Sequence, residues 1–264
     1  MTVTDIAMAV TNGVMAAIPR PMPEREKLEQ SRIVSHRGEY DNRKTKENTL
    51  DAFRHAQEAG VWGIECDIRW TSDLVPVICH DPSAFRVFGK ALNIAGYTFE
   101  DLRKILPEIP TLWEVVDEFG GNTHLMLELK ADSWHDKSGQ VENLKNALST
   151  LQHKEDYHLL SLDTEVYQHI DFAPSNCFLP VAETNVSAIS QFALENDCAG
   201  FAGHYLLMNQ RTTMHHQASG QMIGTGFPTS ENCFRREINR GVELIFSNHA
   251  VKLERLRQTY LERL

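Results

Sequence analysis

The chain has 264 residues, of which 42% are hydrophobic and 23% charged, as expected of a globular protein with room for one large or two small domains. Its formal net charge of −10 argues against a nucleic-acid partner, because binding a polyanion requires a basic face. No apolar stretch approaches the ~20 residues that span a bilayer. The five cysteines lack paired short spacings, which argues against a disulfide framework or zinc site, and we expect a cytoplasmic protein.

The first 31 residues are predicted to form a helical extension. Four apolar residues recur there at four-residue spacing, namely Ile6, Val10, Val14 and Ile18. Asp5 precedes the first basic residue, whereas a secretory signal begins with basic residues. We expect this amphipathic helix to pack on the protein's own body; a homodimer contact or a membrane-surface contact is the alternative.

From residue 32 onward, β-rich runs alternate with helical ones, which predicts a parallel α/β sheet. The strand candidates are 32–36, 62–68, 124–130, 157–162, 177–182, 199–205, 222–227 and 243–247. Eight such units fit a TIM (β/α)8 barrel over residues 32–264, with its chemistry at the C-terminal ends of the strands.

A ninth β-rich run, Val75 to His80, follows the second strand too closely for a helical crossover. A hairpin fits this length, and its register places Asp67 opposite Cys79 or His80. The next segment, residues 82–109, contains no clear strand. We therefore expect a small insertion there, at the active-site end of the barrel.

Helix signals support this order. Asn48 or Thr49 can cap a helix that ends at Gly60. Thr111-Leu112-Trp113-Glu114 matches a capping box, and Gly120 follows as a stop.

Three carboxylates are predicted to face the barrel interior near strand ends. Glu65 and Asp67 alternate on one strand, so both point to the same face, and Glu128 and Lys130 repeat this geometry on another. Carboxylates crowded on an inward face repel each other unless a cation lies between them. All-oxygen ligands favour one divalent ion, Mg²⁺ or Ca²⁺, and the sequence does not separate the two.

His36 and His80 are the candidate acid–base pair, because imidazole titrates nearest neutral pH and both residues lie at predicted strand ends. Arg37 offers a planar fork for phosphate oxygens, and Gly38 suits a turn with positive φ or a close backbone approach. Glu47 can serve the helix N-terminus or reach into the site, and we favour the structural role.

These elements together resemble the glycerophosphodiester phosphodiesterase family over residues 32–131. They are His36-Arg37-Gly38, Glu47-Asn48-Thr49, Glu65-Cys66-Asp67, His80-Asp81 and Glu128-Leu129-Lys130. The resemblance implies a TIM barrel, one divalent metal on Glu65, Asp67 and Glu128, and catalysis by His36 and His80. It also implies phosphate contacts from Arg37 and Lys130, and hydrolysis of small-molecule glycerophosphodiesters to glycerol 3-phosphate and an alcohol.

The C-terminal half departs from the family pattern. This chain reads Gly224-Thr225-Gly226-Phe227 where many members carry Trp-Thr, and Ser247-Asn248 where they carry Thr-Asp. Phe227, Asn248 and His204 fall at predicted strand ends and are candidate pocket residues for the alcohol side of the substrate. Packing is an equal alternative for Phe227.

Two other functions remain open at the level of sequence. A lysophospholipase D-like or sphingomyelinase D-like hydrolase would need an apolar groove, which Phe85, Val87 and Phe88 could form. A catalytically silent metal- or phosphate-binding module is disfavoured, because no member of the catalytic set is missing.

Overall fold

The computed structural model describes residues 13–131 and 134–264. Nine strands form a sheet of order β1-β9-β8-β7-β6-β5-β4-β2-β3, and pairing of β1 with β2 closes it. Their bounds are β1 Arg32–His36, β2 Gly63–Trp70, β3 Pro76–Ile78, β4 His124–Leu129, β5 Tyr157–Ser161, β6 Phe178–Ala182, β7 Gly200–His204, β8 Met222–Gly226 and β9 Leu244–Ser247. Eight strands are parallel and β3 is antiparallel to β2, so the predicted (β/α)8 barrel is confirmed.

The labelled helices are α1 Arg25–Gln30, α2 Leu50–Glu58, α3 Phe85–Phe88, α4 Phe99–Ile105, α5 Leu112–Phe119, α6 Lys137–Ala147, α7 Val186–Glu195, α8 Gln210–Ala218, α9 Glu231–Asn239 and α10 Ala250–Arg263. Short 3₁₀ turns, Thr164–His169 and Ser175–Cys177, connect β5 to β6. No helix among the described residues combines the length and apolarity needed to cross a bilayer.

Alternation along the strands divides their side chains between two layers. One face packs against the helices: Ile64, Cys66 and Ile68 belong to the main apolar core, together with Phe53 of α2. The other face fills the barrel with seven buried side chains, Val34, Met126, Leu160, Leu179, Ala202, Leu244 and Phe246. Glu65 and Asp67 alternate with the outward residues of β2, so they point inward with this second set.

The predicted hairpin is present, and Cys79 donates its backbone N–H to the Asp67 carbonyl at 2.9 Å. After β3, residues 82–109 form α3, a 3₁₀ turn and α4 around a small apolar cluster that includes Leu92 and Leu102. This segment lies where the insertion was predicted. That residues 82–109 form a separate unit stays a prediction.

The predicted caps are also observed. Thr49, not Asn48, caps α2 by accepting from the backbone N–H of Ala52. Thr111 and Glu114 form the capping box of α5, which ends at Gly120.

Part of the predicted N-terminal helix lies outside the described residues, including Ile6 and Val10. Within the described part, Val14 and Ile18 are exposed. The segment contacts α9 through its backbone instead, since Asn232 donates to the Ala16 carbonyl at 2.7 Å and Arg235 to the Arg20 carbonyl at 3.1 Å.

Candidate active site

Three carboxylates meet at the C-terminal end of the barrel. Asp67 of β2 lies directly opposite Glu128 of β4, and Glu65 precedes Asp67 on the same inward face. Each of the three side chains offers one oxygen, and these oxygens lie within 4.8 Å of one another. Glu65 and Asp67 are buried, which makes their shared negative charge costly unless cations compensate it.

Two basic side chains supply part of that compensation. The Lys130 ammonium lies 2.6 Å from Asp67 Oδ1 and 2.5 Å from Glu128 Oε1. Arg37 Nε lies 3.1 Å from Asp67 Oδ2. Burial alone would raise the pKa of Asp67, but Lys130 and Arg37 hold it well below its usual range. Asp67 is therefore the carboxylate of the cluster whose charge the two basic side chains compensate most directly.

Glu65 is the least compensated carboxylate of the cluster. Its burial, together with the charges of Asp67 and Glu128, raises its pKa well above the ordinary value. Its Oε2 accepts from the Arg37 backbone N–H at 3.2 Å, but Oε1 is buried without a hydrogen-bond partner among the described residues. An all-oxygen set containing an unsatisfied buried carboxylate oxygen fits a hard divalent cation such as Mg²⁺ or Ca²⁺.

His36 stands at the end of β1 beside this cluster. Its Nδ1 donates to Asn248 Oδ1 at 2.6 Å, because an amide oxygen can only accept. In the neutral ring this leaves Nε2 as the basic atom, 3.7 Å from Glu65 Oε2. Burial, and secondarily Arg37, lowers the pKa of His36 to about 4. The ring also packs 4.6 Å from the ring of Phe227.

His80 follows β3, so the hairpin brings it to the same end of the barrel. Its Nδ1 lies 2.6 Å from Asp81 Oδ1, an arrangement that orients the ring and leaves Nε2 for proton transfer. Burial lowers the pKa of His80, while the nearby Asp67 charge opposes that shift. Both histidines thus lie near the carboxylate cluster, and each has a polar partner on Nδ1.

Arg86 in α3 connects the insertion to this site, and no sequence signal predicted it. Its guanidinium donates to Asp81 Oδ2 at 2.6 Å and to both oxygens of Glu47, at 2.7 and 3.0 Å. Glu47 also accepts from Arg37 at 3.0 Å. Glu47 therefore reaches the site through Arg37, whereas Thr49 caps the helix, so the observed contacts are those of the alternative and not of the helix-terminal role that we favoured. These partners lower the pKa of Glu47 to about 2 despite burial.

Asn48 was predicted only as a possible cap, but it contacts the carboxylate cluster. Its side-chain amide donates to Asp67 Oδ2 at 2.8 Å, and its backbone has a φ of 57°. Asparagine tolerates this left-handed conformation better than most residues. The signal available in the sequence was its position between the acidic Glu47 and the cap Thr49.

An open cavity of about 440 Å³ extends from the carboxylates across the barrel mouth. His36, Glu65 and Glu128 line one end, and most of the remaining wall comes from the strand ends of β5 to β9. Phe227 and His204 line it, whereas Asn248 is held on His36. The groove suggested for Phe85, Val87 and Phe88 is not part of this cavity: Phe88 packs on the insertion's own cluster, and Phe85 is exposed.

Residues 36–176 match the model of the glycerophosphoryl diester phosphodiesterase family, over just more than half of the chain. The chain belongs to this family. The matched region contains the three carboxylates, both histidines, Arg37 and Lys130.

Curated relatives align over part of their length. Glycerophosphodiester phosphodiesterase 1 of Rattus norvegicus is 36% identical over 117 residues, 37% of this chain and 35% of the relative. A glycerophosphodiester phosphodiesterase of Caldanaerobacter subterraneus is 32% identical over 111 residues, 38% of this chain and 45% of the relative. The chain thus spans less than half the length of these relatives.

Solved structures extend the likeness in fold to most of the chain. A glycerophosphodiester phosphodiesterase from Thermotoga maritima superposes with a TM-score of 0.73 at 18% identity, covering 86% of this chain and 98% of that one. An Oleispira antarctica phosphodiesterase in complex with the product sn-glycerol-3-phosphate has a TM-score of 0.71 at 20% identity, covering 88% and 96%. At these identities the superpositions establish the shared barrel.

Proposed function

We propose that the protein hydrolyses glycerophosphodiesters to sn-glycerol 3-phosphate and an alcohol, with one divalent cation and two histidines. The observation that carries this proposal is the convergence of His36 and His80 on a buried three-carboxylate cluster at the barrel's C-terminal end. The products are taken from the family and from the Oleispira antarctica phosphodiesterase, whose solved complex contains the product sn-glycerol-3-phosphate.

Glu65, Asp67 and Glu128 would hold the cation, which when bound supplies positive charge for the phosphate oxygens. Arg37 and Lys130 would add hydrogen-bond donors that stabilise charge as phosphorus becomes five-coordinate. The Arg37 guanidinium and the Lys130 ammonium already contact Asp67, so both side chains are held in place beside the proposed position of the phosphate.

The proposed reaction begins with attack by the substrate's own glycerol hydroxyl on phosphorus, which has a proximity advantage over bulk water. One histidine removes the hydroxyl proton, the bond from phosphorus to the alcohol oxygen breaks, and the other histidine protonates that oxygen. Water then opens the resulting cyclic phosphate to give glycerol 3-phosphate. Diesters without the neighbouring hydroxyl should therefore react much more slowly under matched conditions.

The test is release of glycerol 3-phosphate from a panel of glycerophosphodiesters, with and without EDTA. We expect activity that chelator abolishes and that Mg²⁺ or Ca²⁺ restores. Asp67→Asn should lower activity and metal affinity together. Asp51→Asn is the matched control, because Asp51 is an exposed partner of Arg54 on α2. Full activity of the Asp67 variant in chelator would refute the three-carboxylate assignment.

We also propose a cytoplasmic location for this reaction, as expected from the sequence. All five cysteines are free and buried, in line with a reducing compartment.

A further inference from the structure

The cavity beside the carboxylates has two chemically different sides. The polar side is lined by His36 and Arg37 at the end of β1, with Glu65 of β2 and Glu128 of β4. The wall formed by β5 to β9 is mostly apolar. Leu160 and Ala202 are buried barrel residues on that wall, as is Phe246.

Apolar residues continue from this wall to the solvent. Leu162 follows β5 and Leu207 follows β7, and both line the cavity mouth with exposures of 42% and 47%. Phe227 and Val181 line the same cavity and are half-buried. Exposed leucines that adjoin a buried apolar wall form a continuous surface from solvent to the candidate catalytic groups, which is a mark of a binding site.

A small polar alcohol such as choline or ethanolamine would leave this surface in contact with water. Binding of an apolar chain through the mouth would remove both the chain and the wall from water. This is favourable by about 0.8 kcal/mol for each buried methylene. Glu183 also lines the mouth and is exposed, so its negative charge disfavours an anionic occupant. The glycerol, with its hydroxyls, is better suited to the polar side.

We propose that this cavity is a subsite for an uncharged apolar chain carried on the alcohol that is esterified to glycerol 3-phosphate. The inference rests on the proposed function and narrows its substrate class from glycerophosphodiesters in general to those with a chain-bearing alcohol. The chain would lie between β5 and β9 with its far end near Leu162 and Leu207.

The experiment uses the metal-loaded protein and a homologous series of substrates, sn-glycero-3-phosphoethanol, -butanol and -octanol. These alcohols have similar leaving-group acidity, so differences in kcat/KM report on binding of the chain. Complete burial would give up to about fourfold per methylene, and partial burial should still give about 30-fold from ethyl to octyl. Equal kcat/KM across the series, with glycerophosphocholine cleaved as well, would overturn the subsite while the proposed function stands.

Loss of all activity on the series and on glycerophosphocholine would instead mark failure of the proposed function. A lysophosphatidylcholine with an eight-carbon acyl chain places the chain on the glycerol. If chain length improved cleavage only in that arrangement, the cavity would serve the glycerol side and the proposal as stated would be wrong.

Variants locate the effect in the cavity. Leu207→Asn and Val181→Thr should each reduce the octyl-to-ethyl ratio of kcat/KM by about three- to tenfold, because each puts a polar group against the chain. Met214→Asn on α8 is the matched control, since Met214 is 59% exposed and does not line the cavity. Val181→Thr nearly preserves side-chain shape, so it guards against misfolding as an explanation. An unchanged ratio in both cavity variants would refute the proposal.

Discussion

Substitution of Gly38 tests how the β1–α2 loop is fitted against the barrel. Gly38 has a φ of 83°, and a Cβ built there would lie 2.7 Å from the Ala52 Cβ and 2.8 Å from the Ala52 carbonyl carbon. Ala52 belongs to helix α2, so the added methyl group can be accommodated only if the loop or the helix moves. Gly60 has nearly the same φ, 78°, but nothing lies within 4 Å of its built Cβ.

The two glycines therefore separate backbone strain from crowding. Gly60→Ala should lower the free energy of unfolding by about 1–2 kcal/mol, the cost of a left-handed alanine. Gly38→Ala carries the same cost plus about 1–3 kcal/mol for overpacking. At about 2–4 °C per kcal/mol, Tm should fall by roughly 2–8 °C for Gly60→Ala and roughly 4–20 °C for Gly38→Ala. The effect of alanine on the unfolded chain is common to both and cancels in the comparison.

Scanning fluorimetry at one scan rate measures the Tm of both variants, and urea midpoints give an independent comparison of their stability. Only Gly38→Ala should also lower activity, because Ala52 lies one turn from Asn48, which holds Asp67. If the two variants lost equal stability, the close approach of helix α2 could not be what requires glycine at position 38.

Three further predictions concern charge. Lys130→Met should lower kcat/KM about 10²-fold or more at saturating metal, by loss of a donor at the phosphate, and wild-type rates would contradict its role. Glu47 has a folded-state pKa of about 2, below its ordinary 4.5, so its stabilisation is present above pH 4.5 and lost as pH falls toward 2. The difference in urea stability between wild type and Glu47→Gln should therefore shrink over that range; a pH-independent difference would exclude this linkage. Asn248→Asp puts a carboxylate on His36, whose pKa is about 4, and should move one limb of the pH–rate profile upward by about 1–3 units, whereas an unshifted profile would remove His36 from proton transfer.

The barrel was predictable because its strands are short apolar runs separated by helical ones. Each of the eight predicted runs coincides with an observed strand, and the ends differ by two residues at most. The proximity of His80 to the carboxylates was also predictable, since a short hairpin allows few registers, and Cys79 does pair opposite Asp67. The positions of Glu65 and Asp67 on one face follow from strand alternation alone.

The partners of the histidines could not be predicted in this way. The contact between His36 and Asn248 joins residues 212 positions apart, and it depends on how the first and last strands of the barrel meet. Arg86 belongs to a short helix of the insertion, where no periodicity fixes the direction of a long, flexible side chain. Such contacts depend on loop conformation and rotamer choice, which single-sequence patterns do not specify.

The charges at the centre of the site suggest how an acidic protein would bind the phosphodiester that we propose as its substrate. Three carboxylates are gathered at the barrel end, and among the described residues Lys130 and Arg37 are the basic side chains paired with Asp67 there. Burial and the neighbouring carboxylates still raise the pKa of Glu65. A divalent cation would change that local balance from negative to positive, although the whole chain has a formal net charge of −10. We therefore expect substrate binding to require metal, so that a non-hydrolysable glycerophosphodiester analogue binds the metal-loaded protein and not the chelated one in calorimetry. Equal affinity in both states would mean that Arg37 and Lys130 suffice to bind the phosphate.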